Sequence, residues 1–134
     1  MKRLMVGLLV VVVLVACSGG ASASITGQWK LVSYGPAASQ TPAASDVDTS
    51  IEFLDGKLNG NVGCNGFGGD YEVKGDTLTL GPIMSTMMFC EGPVGDQETG
   101  TLTMLKDSAK FVLDGDKLTI TSADGSAVIV LARK

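Results

Sequence analysis

Four turns built on glycine, Asp55-Gly56, Lys74-Gly75-Asp76, Asp114-Gly115-Asp116 and Ala123-Asp124-Gly125, limit what this chain can fold into. Each separates two short runs of β-forming residues, so the backbone must reverse direction repeatedly within a few residues. An Asp-Gly pair supplies the positive φ angles of a tight hairpin, whose twist then matches that of the flanking strands. The runs so divided are residues 51–54 and 57–62, 68–73 and 77–80, 111–113 and 118–121, and a last strand at 127–132. Leu78 and Leu80 alternate with Thr77 and Thr79, which gives one apolar and one polar face. Upstream, residues 28–34 place Trp29 and Leu31 on the same face of an extended strand, and the Ala-, Pro- and Ser-rich stretch 35–48 reads as a surface loop. The expected fold is mainly β, a small antiparallel meander that curls into a barrel-like domain with one short helix.

The helix is expected over residues 94–108, where β formers are few. Asp96 and Glu98 near its start and Lys106 near its end complement a helix dipole. Its apolar content is modest, Leu102, Met104 and Leu105, and Gly100 costs about 1 kcal/mol relative to alanine. Packing on the sheet must therefore hold it.

The first twenty residues carry a different signal. Lys2-Arg3 precedes an apolar run from Leu4 to Val15 that stops at Ala16-Cys17. The run is shorter than the roughly 20 residues a helix needs to cross hydrocarbon, and with its cationic start and small-residue end it fits a cleaved export leader. The end resembles a bacterial lipoprotein lipobox, with Ala16 before a cysteine. That resemblance implies that residues 1–16 are removed and that Cys17 becomes a lipidated N-terminus, a membrane anchor with no catalytic role. Residues 17–24 then form a small, polar tether, and a single domain follows over residues 25–134. The expected location is the bacterial cell envelope, with the protein a monomer held to a membrane through Cys17.

Composition removes several classes of function. Loss of Lys2 and Arg3 takes the formal charge from −4 to −6, with no basic run to neutralise phosphates, so nucleic acid is not an expected partner. The chain has no histidine, which removes Ser-His-Asp and Cys-His activation and the commonest transition-metal ligand. The acids are scattered singly through turns and suggest no catalytic pair. No catalytic residue, metal site or cofactor is expected.

Three motifs then stand in order: Trp29 with Leu31, the loop Gly63-Cys64-Asn65-Gly66-Phe67-Gly68-Gly69-Asp70-Tyr71, and Thr86-Met87-Met88-Phe89-Cys90-Glu91 ahead of the helix. Together they resemble the META domain, also called HslJ-like, over residues 25–134. The resemblance implies a small β-barrel-like domain with one helix, found in bacterial envelope lipoproteins and in stress-linked proteins, and no established reaction.

The glycine-rich run 60–69 lacks the Gly-Lys-Ser/Thr ending of a phosphate cradle and leads into a strand, so bends and close backbone approach explain it better. Asn65 would serve that turn through side-chain to backbone hydrogen bonds. With Cys17 lipidated, Cys64 and Cys90 are the remaining thiols. In an exported protein a bridge between them is preferred over two separate reduced cysteines, and Cys-x-x-Cys redox spacing is absent. Met84, Met87, Met88 and Phe89 form a soft apolar stretch that is read as core filling or as a pocket lining for a flexible ligand, with Asn65, Phe67, Met87 and Met88 as the candidate binding residues. Trp29, Phe53, Phe67 and Tyr71 are expected in the core.

The leading functional expectation is a non-enzymatic envelope lipoprotein in stress tolerance or envelope maintenance, whose partner is another envelope protein or a small hydrophobic ligand. Two alternatives stand beside it. One is a lipid or small-molecule binder that uses the barrel interior, which requires an apolar cavity. The other is an inhibitor of an extracellular hydrolase, which requires a rigid loop with anchor side chains.

Overall fold

The computed structural model describes residues 24–134; the leader, Cys17 and all of the tether except Ser24 lie outside the described residues. The domain is a ring of eight antiparallel strands. Strand β1 (Gly27–Pro36) pairs with β3 (Ser50–Leu54), then follow β4 (Lys57–Asn61), β5 (Gly66–Lys74) and β6 (Thr77–Leu80). From β6 the ring continues through β8 (Asp107–Asp114), β9 (Lys117–Ser122) and β10 (Ala127–Arg133), and β10 closes on β1 from Trp29 opposite Arg133 to Pro36 opposite Ala127. Two-residue strands β2 (Thr41–Pro42) and β7 (Met84–Ser85) add to β1 and β5 outside the ring. Helix α1 (Gly92–Met104) lies between β7 and β8 and packs on β1 and β10.

The hairpins form where the glycines put them. Asp55 and Gly56 both have positive φ, 51° and 75°, as a two-residue hairpin turn requires, and Gly75, Gly115 and Gly125 also take positive φ. Between Leu31 and Ser33 the register with β10 shifts, an irregularity of the kind that bends a strand around a barrel. Trp29, Ile51, Phe53, Leu58, Val62, Leu78, Leu118, Ile120, Ile129 and Leu131 are fully buried in one cluster. Trp29 Nε1 donates to Ile25 O at 2.8 Å, so the largest core side chain carries no unmet donor. Phe53 and Tyr71 meet edge to face with centroids 5.0 Å apart. Among the described residues the interior is thus a contiguous apolar core.

The ring has two unlike ends. The turns at 55–56, 75–76 and 114–116 share one end with residues 24–26; we call it the turn end. Loop 37–49, loop 62–65 and the excursion 81–106 that includes α1 gather at the other. Among the described residues no helix is long and apolar enough to cross a membrane.

The helix differs from the sequence expectation of residues 94–108. It starts two residues earlier, with Pro93 in its first turn, and Asp96 falls beyond that turn. It stops at Met104: Leu105 leaves the helical region with ψ 58°, and Asp107, with a left-handed φ of 57°, opens β8. Its buried face is Gly95, Gln97, Glu98, Thr101 and Met104, a mostly polar stripe at helical spacing. A Cβ on Gly100 would stand 2.9 Å from Tyr34 Cδ2, so the helix backbone rests on that ring.

Candidate functional site

The end of the barrel opposite the turns is organised by one buried acid. Glu98 is only 7% exposed, and its Oε1 accepts from the backbone N–H of Asn65 at 2.6 Å and of Cys64 at 3.1 Å. Its Oε2 accepts from Asn65 Nδ2 at 2.7 Å. Three N–H donors thus stand in for the water this carboxylate has lost. No Cβ could be added to Gly63 without shifting this arrangement, since it would come within 2.8 Å of Glu98 Cβ. The residue before it, Gln97, donates from Nε2 to Val62 O at 2.7 Å, and its Oε1 accepts from Ala44 N at 2.7 Å. The polar inner face of α1 therefore fastens two loops to the barrel.

Asn65 transmits the hold further. Its Oδ1 accepts from Met88 N at 2.8 Å while its Nδ2 donates to Met88 O at 3.1 Å, so the side-chain amide pairs with Met88 as a neighbouring strand would. Thr86 Oγ1 donates to the same Oδ1 at 2.9 Å, and Thr86 N to Gly66 O at 3.0 Å. All four hydrogen-bonding positions of the amide are used. Asn65 does make side-chain to backbone bonds, but to a segment more than twenty residues away instead of to its own turn. Two residues beyond Met88, Cys90 is bonded to Cys64 with Cα atoms 5.9 Å apart, within the ordinary span of a disulfide.

What this clamp holds is an apolar segment in solvent. Met87 is 92% exposed, Phe89 87%, Met84 78% and Met88 61%. The core-filling reading of these residues fails, because the Asn65 clamp fixes their backbone and leaves the side chains outward. Of the four candidate binding residues, Met87 and Met88 lie on this surface and Asn65 is buried beneath it. Phe67 belongs to the core. A cleft of about 430 Å3 runs between the segment and α1, lined by Met87, Met88, Phe89, Thr99 and Leu102 among others. Gln97 and Glu98 escaped the sequence reading because polar residues in a helix ordinarily face water. The usable signal was Glu98 near the start of a weakly apolar helix, with a Gly-Cys-Asn loop to receive it.

The arrangement offers hydrogen bonding and apolar contact. Among the described residues no group of three or more histidine, cysteine, aspartate or glutamate residues is placed to hold a metal ion. Glu98 is engaged by three donors and has no second carboxylate within its network.

These features define a class, a small closed antiparallel barrel with one helix packed at an end and a disulfide-clamped loop beside it. A META domain profile matches residues 23–134, and the chain belongs to the META domain family. A protein from Burkholderia xenovorans, solved by NMR, has a similar fold with a TM-score of 0.66 and 20% identity, over 80% of this chain and 81% of that one. A second NMR structure matches with a TM-score of 0.60 and 25% identity, over 77% of this chain and 86% of the other. No curated protein matches the chain.

Proposed function

We propose that this chain is a membrane-anchored lipoprotein of the bacterial envelope whose META domain works by binding, without catalysis, in stress tolerance or envelope maintenance. The observation that carries the binding reading is the exposed Met84–Phe89 stretch on a backbone already fixed by Asn65 and the Cys64–Cys90 bond. Exposed apolar side chains in contiguous sequence mark contact surfaces, and a surface fixed before contact loses little freedom on binding. The lack of histidine and the engagement of Glu98 by structural donors support the non-catalytic part. The lipobox at Ala16-Cys17 supports the anchor, and the stress role is what the family resemblance implies. Expression of the full chain in a bacterial host tests the anchor: Cys17→Ser should leave an uncleaved precursor or move the protein out of the detergent phase. Unchanged processing and partition would remove lipidation from the reading.

A further inference from the structure

We infer that the exposed Met87–Met88–Phe89 surface docks a cationic amphipathic segment of a protein partner, a helix or peptide with lysine or arginine flanking an apolar stripe. This deepens the binding reading above and rests on it. Two observations select the partner's chemistry, and a third weighs against the obvious competitor.

The first is charge. Between Lys74 and Lys106 the sequence has no lysine or arginine, yet it carries Asp76, Glu91, Asp96 and Glu98. Glu91 follows Cys90 directly and is exposed. Asp96 is exposed on α1 one turn before Thr99, which lines the cleft, so the two side chains are neighbours on the helix surface. Among the described residues neither Glu91 nor Asp96 takes part in an ion pair. At the turn end Asp70 pairs with Lys57, Asp76 with Lys110 at 3.0 Å and Glu72 with Lys74 at 3.6 Å, whereas Asp55, Asp114 and Asp116 take part in no ion pair among the described residues. Two unpaired acids thus stand beside the apolar surface against one nearby cation, Lys106, which lines a neighbouring pocket with Ser85 and Leu102, and the net negative charge attracts cations and repels anionic partners.

The second observation is the make-up of the apolar strip. Methionine side chains are unbranched and polarisable and adapt to varied apolar partners, while Phe89 supplies a rigid anchor. Set beside a cleft bounded by α1, they suit an amphipathic helix that lays an apolar stripe against them.

The third concerns membranes. Ser24 leaves the barrel beside Tyr71, Val73 and Phe111, at the end of β5 remote from Asn65. From Gly66 to Val73 that strand runs about 23 Å. The seven steps from Cys17 to Ser24 reach at most about 25 Å, so a lipid on Cys17 attaches at the turn end and leaves the apolar surface at the end of the barrel farther from the anchor. Its acidic rim also opposes anionic headgroups.

The test uses the purified protein with three probes: an 18-residue Leu/Lys peptide with leucines at helical i, i+3, i+4 and i+7 spacing, the same peptide with glutamate for lysine, and phosphatidylglycerol vesicles. Anisotropy gives affinity, and the Met87, Met88 and Phe89 NMR signals locate the contact. The Lys peptide should bind at these signals, about tenfold or more tightly than the Glu peptide, and weaken as salt rises. The double substitution Met87→Ser, Phe89→Ser should abolish most of this binding. Both residues are solvent-exposed, so the fold should survive, and an unchanged amide spectrum outside residues 84–91 checks this. Equal or preferred binding of the Glu peptide at this surface overturns the cationic partner and leaves the binding reading standing. Perturbation of the three signals by vesicles and not by the Lys peptide replaces a protein partner with a membrane. Silence toward all three probes, or Lys-peptide binding indifferent to the double substitution, overturns the inference, and silence removes support from the binding reading as well.

Discussion

At the turn end of the barrel, chain reversals are made by residues adjacent in sequence, Asp55 with Gly56 and the glycines at 75 and 115, and the ion pairs there lie exposed on the surface. At the opposite end, the hydrogen bonds of Glu98, Gln97 and Asn65 reach partners 21 to 53 residues away, and a disulfide joins residues 26 apart. The first end needs only local geometry; the second exists only when loop, segment and helix are all in place. That difference teaches where stability and display separate: hairpins build the barrel wall, while a polar clamp presents an apolar surface that the core does not use.

Removing the acid should break this contrast most severely. Glu98→Ala leaves the N–H groups of Cys64 and Asn65 and the Asn65 amide without their acceptor, at a cost of about 3 to 5 kcal/mol in urea unfolding. Glu98→Gln keeps one acceptor oxygen and should cost less. A loss near 0.5 kcal/mol for Glu98→Ala would mean that the clamp is no stronger than an ordinary surface contact.

Opening the disulfide comes next. On the chain-entropy account, a closed loop of this length stabilises the fold by about 3 to 4 kcal/mol. Reduction should lower the unfolding midpoint accordingly, while Asn65 still holds Met88, so the Met87 and Phe89 signals should shift less than in Asn65→Ala. Greater displacement on reduction than in Asn65→Ala would make the bond, and not the amide, the principal hold on the segment.

The smallest expected effect sharpens the comparison. The turn at Asp124 is local although it sits at the clamp end: Asp124 Oδ1 accepts from Ser122 Oγ, Ser126 Oγ and Ser126 N at 2.7, 2.7 and 3.0 Å. The Ser122 hydroxyl, then that of Ser126, hold its pKa down at about 2 from 3.8. Because the folded value is depressed, its stabilising contribution is complete above the unfolded value and fades as pH falls through about 2. Carboxyl NMR titration should find that depression in the wild type and find it unchanged in folded Glu98→Ala. Titration near the ordinary value in the wild type would remove the turn's hydrogen bonds, and a change confined to the variant would show the two systems to be linked.

Legibility in the sequence follows the same division. The strand runs and their turns were readable because alternation and Asp-Gly pairs act over a few residues, and the glycine-rich run does lie in β4, β5 and the loop between them. Two of the three motifs that carried the META resemblance, the Gly-Cys-Asn loop and the segment from Thr86 to Cys90, meet at the clamp, while Trp29 and Leu31 lie in the core. The helix end was misplaced because nothing in 105–108 announces that Asp107 turns left-handed. The exposure of Met87 and Phe89 was hidden because apolar residues beside a cysteine read as core, and the fact that reverses this, the pairing of Asn65 with Met88, is a long-range side-chain contact.

Pairing of β1 with β10 joins the first strand of the domain to be synthesised with the last. Until residues 127–133 arrive, β1 and β9 each present a row of unpaired backbone groups, a template on which other chains can add. In the finished ring those edges meet, with the Arg133 guanidinium 4.1 Å above the Trp29 ring and bonded to the carbonyls of Thr26 and Ser24. A chain stopped before Ala127 therefore keeps two open strand edges, and the ring is complete only when its last strand is present.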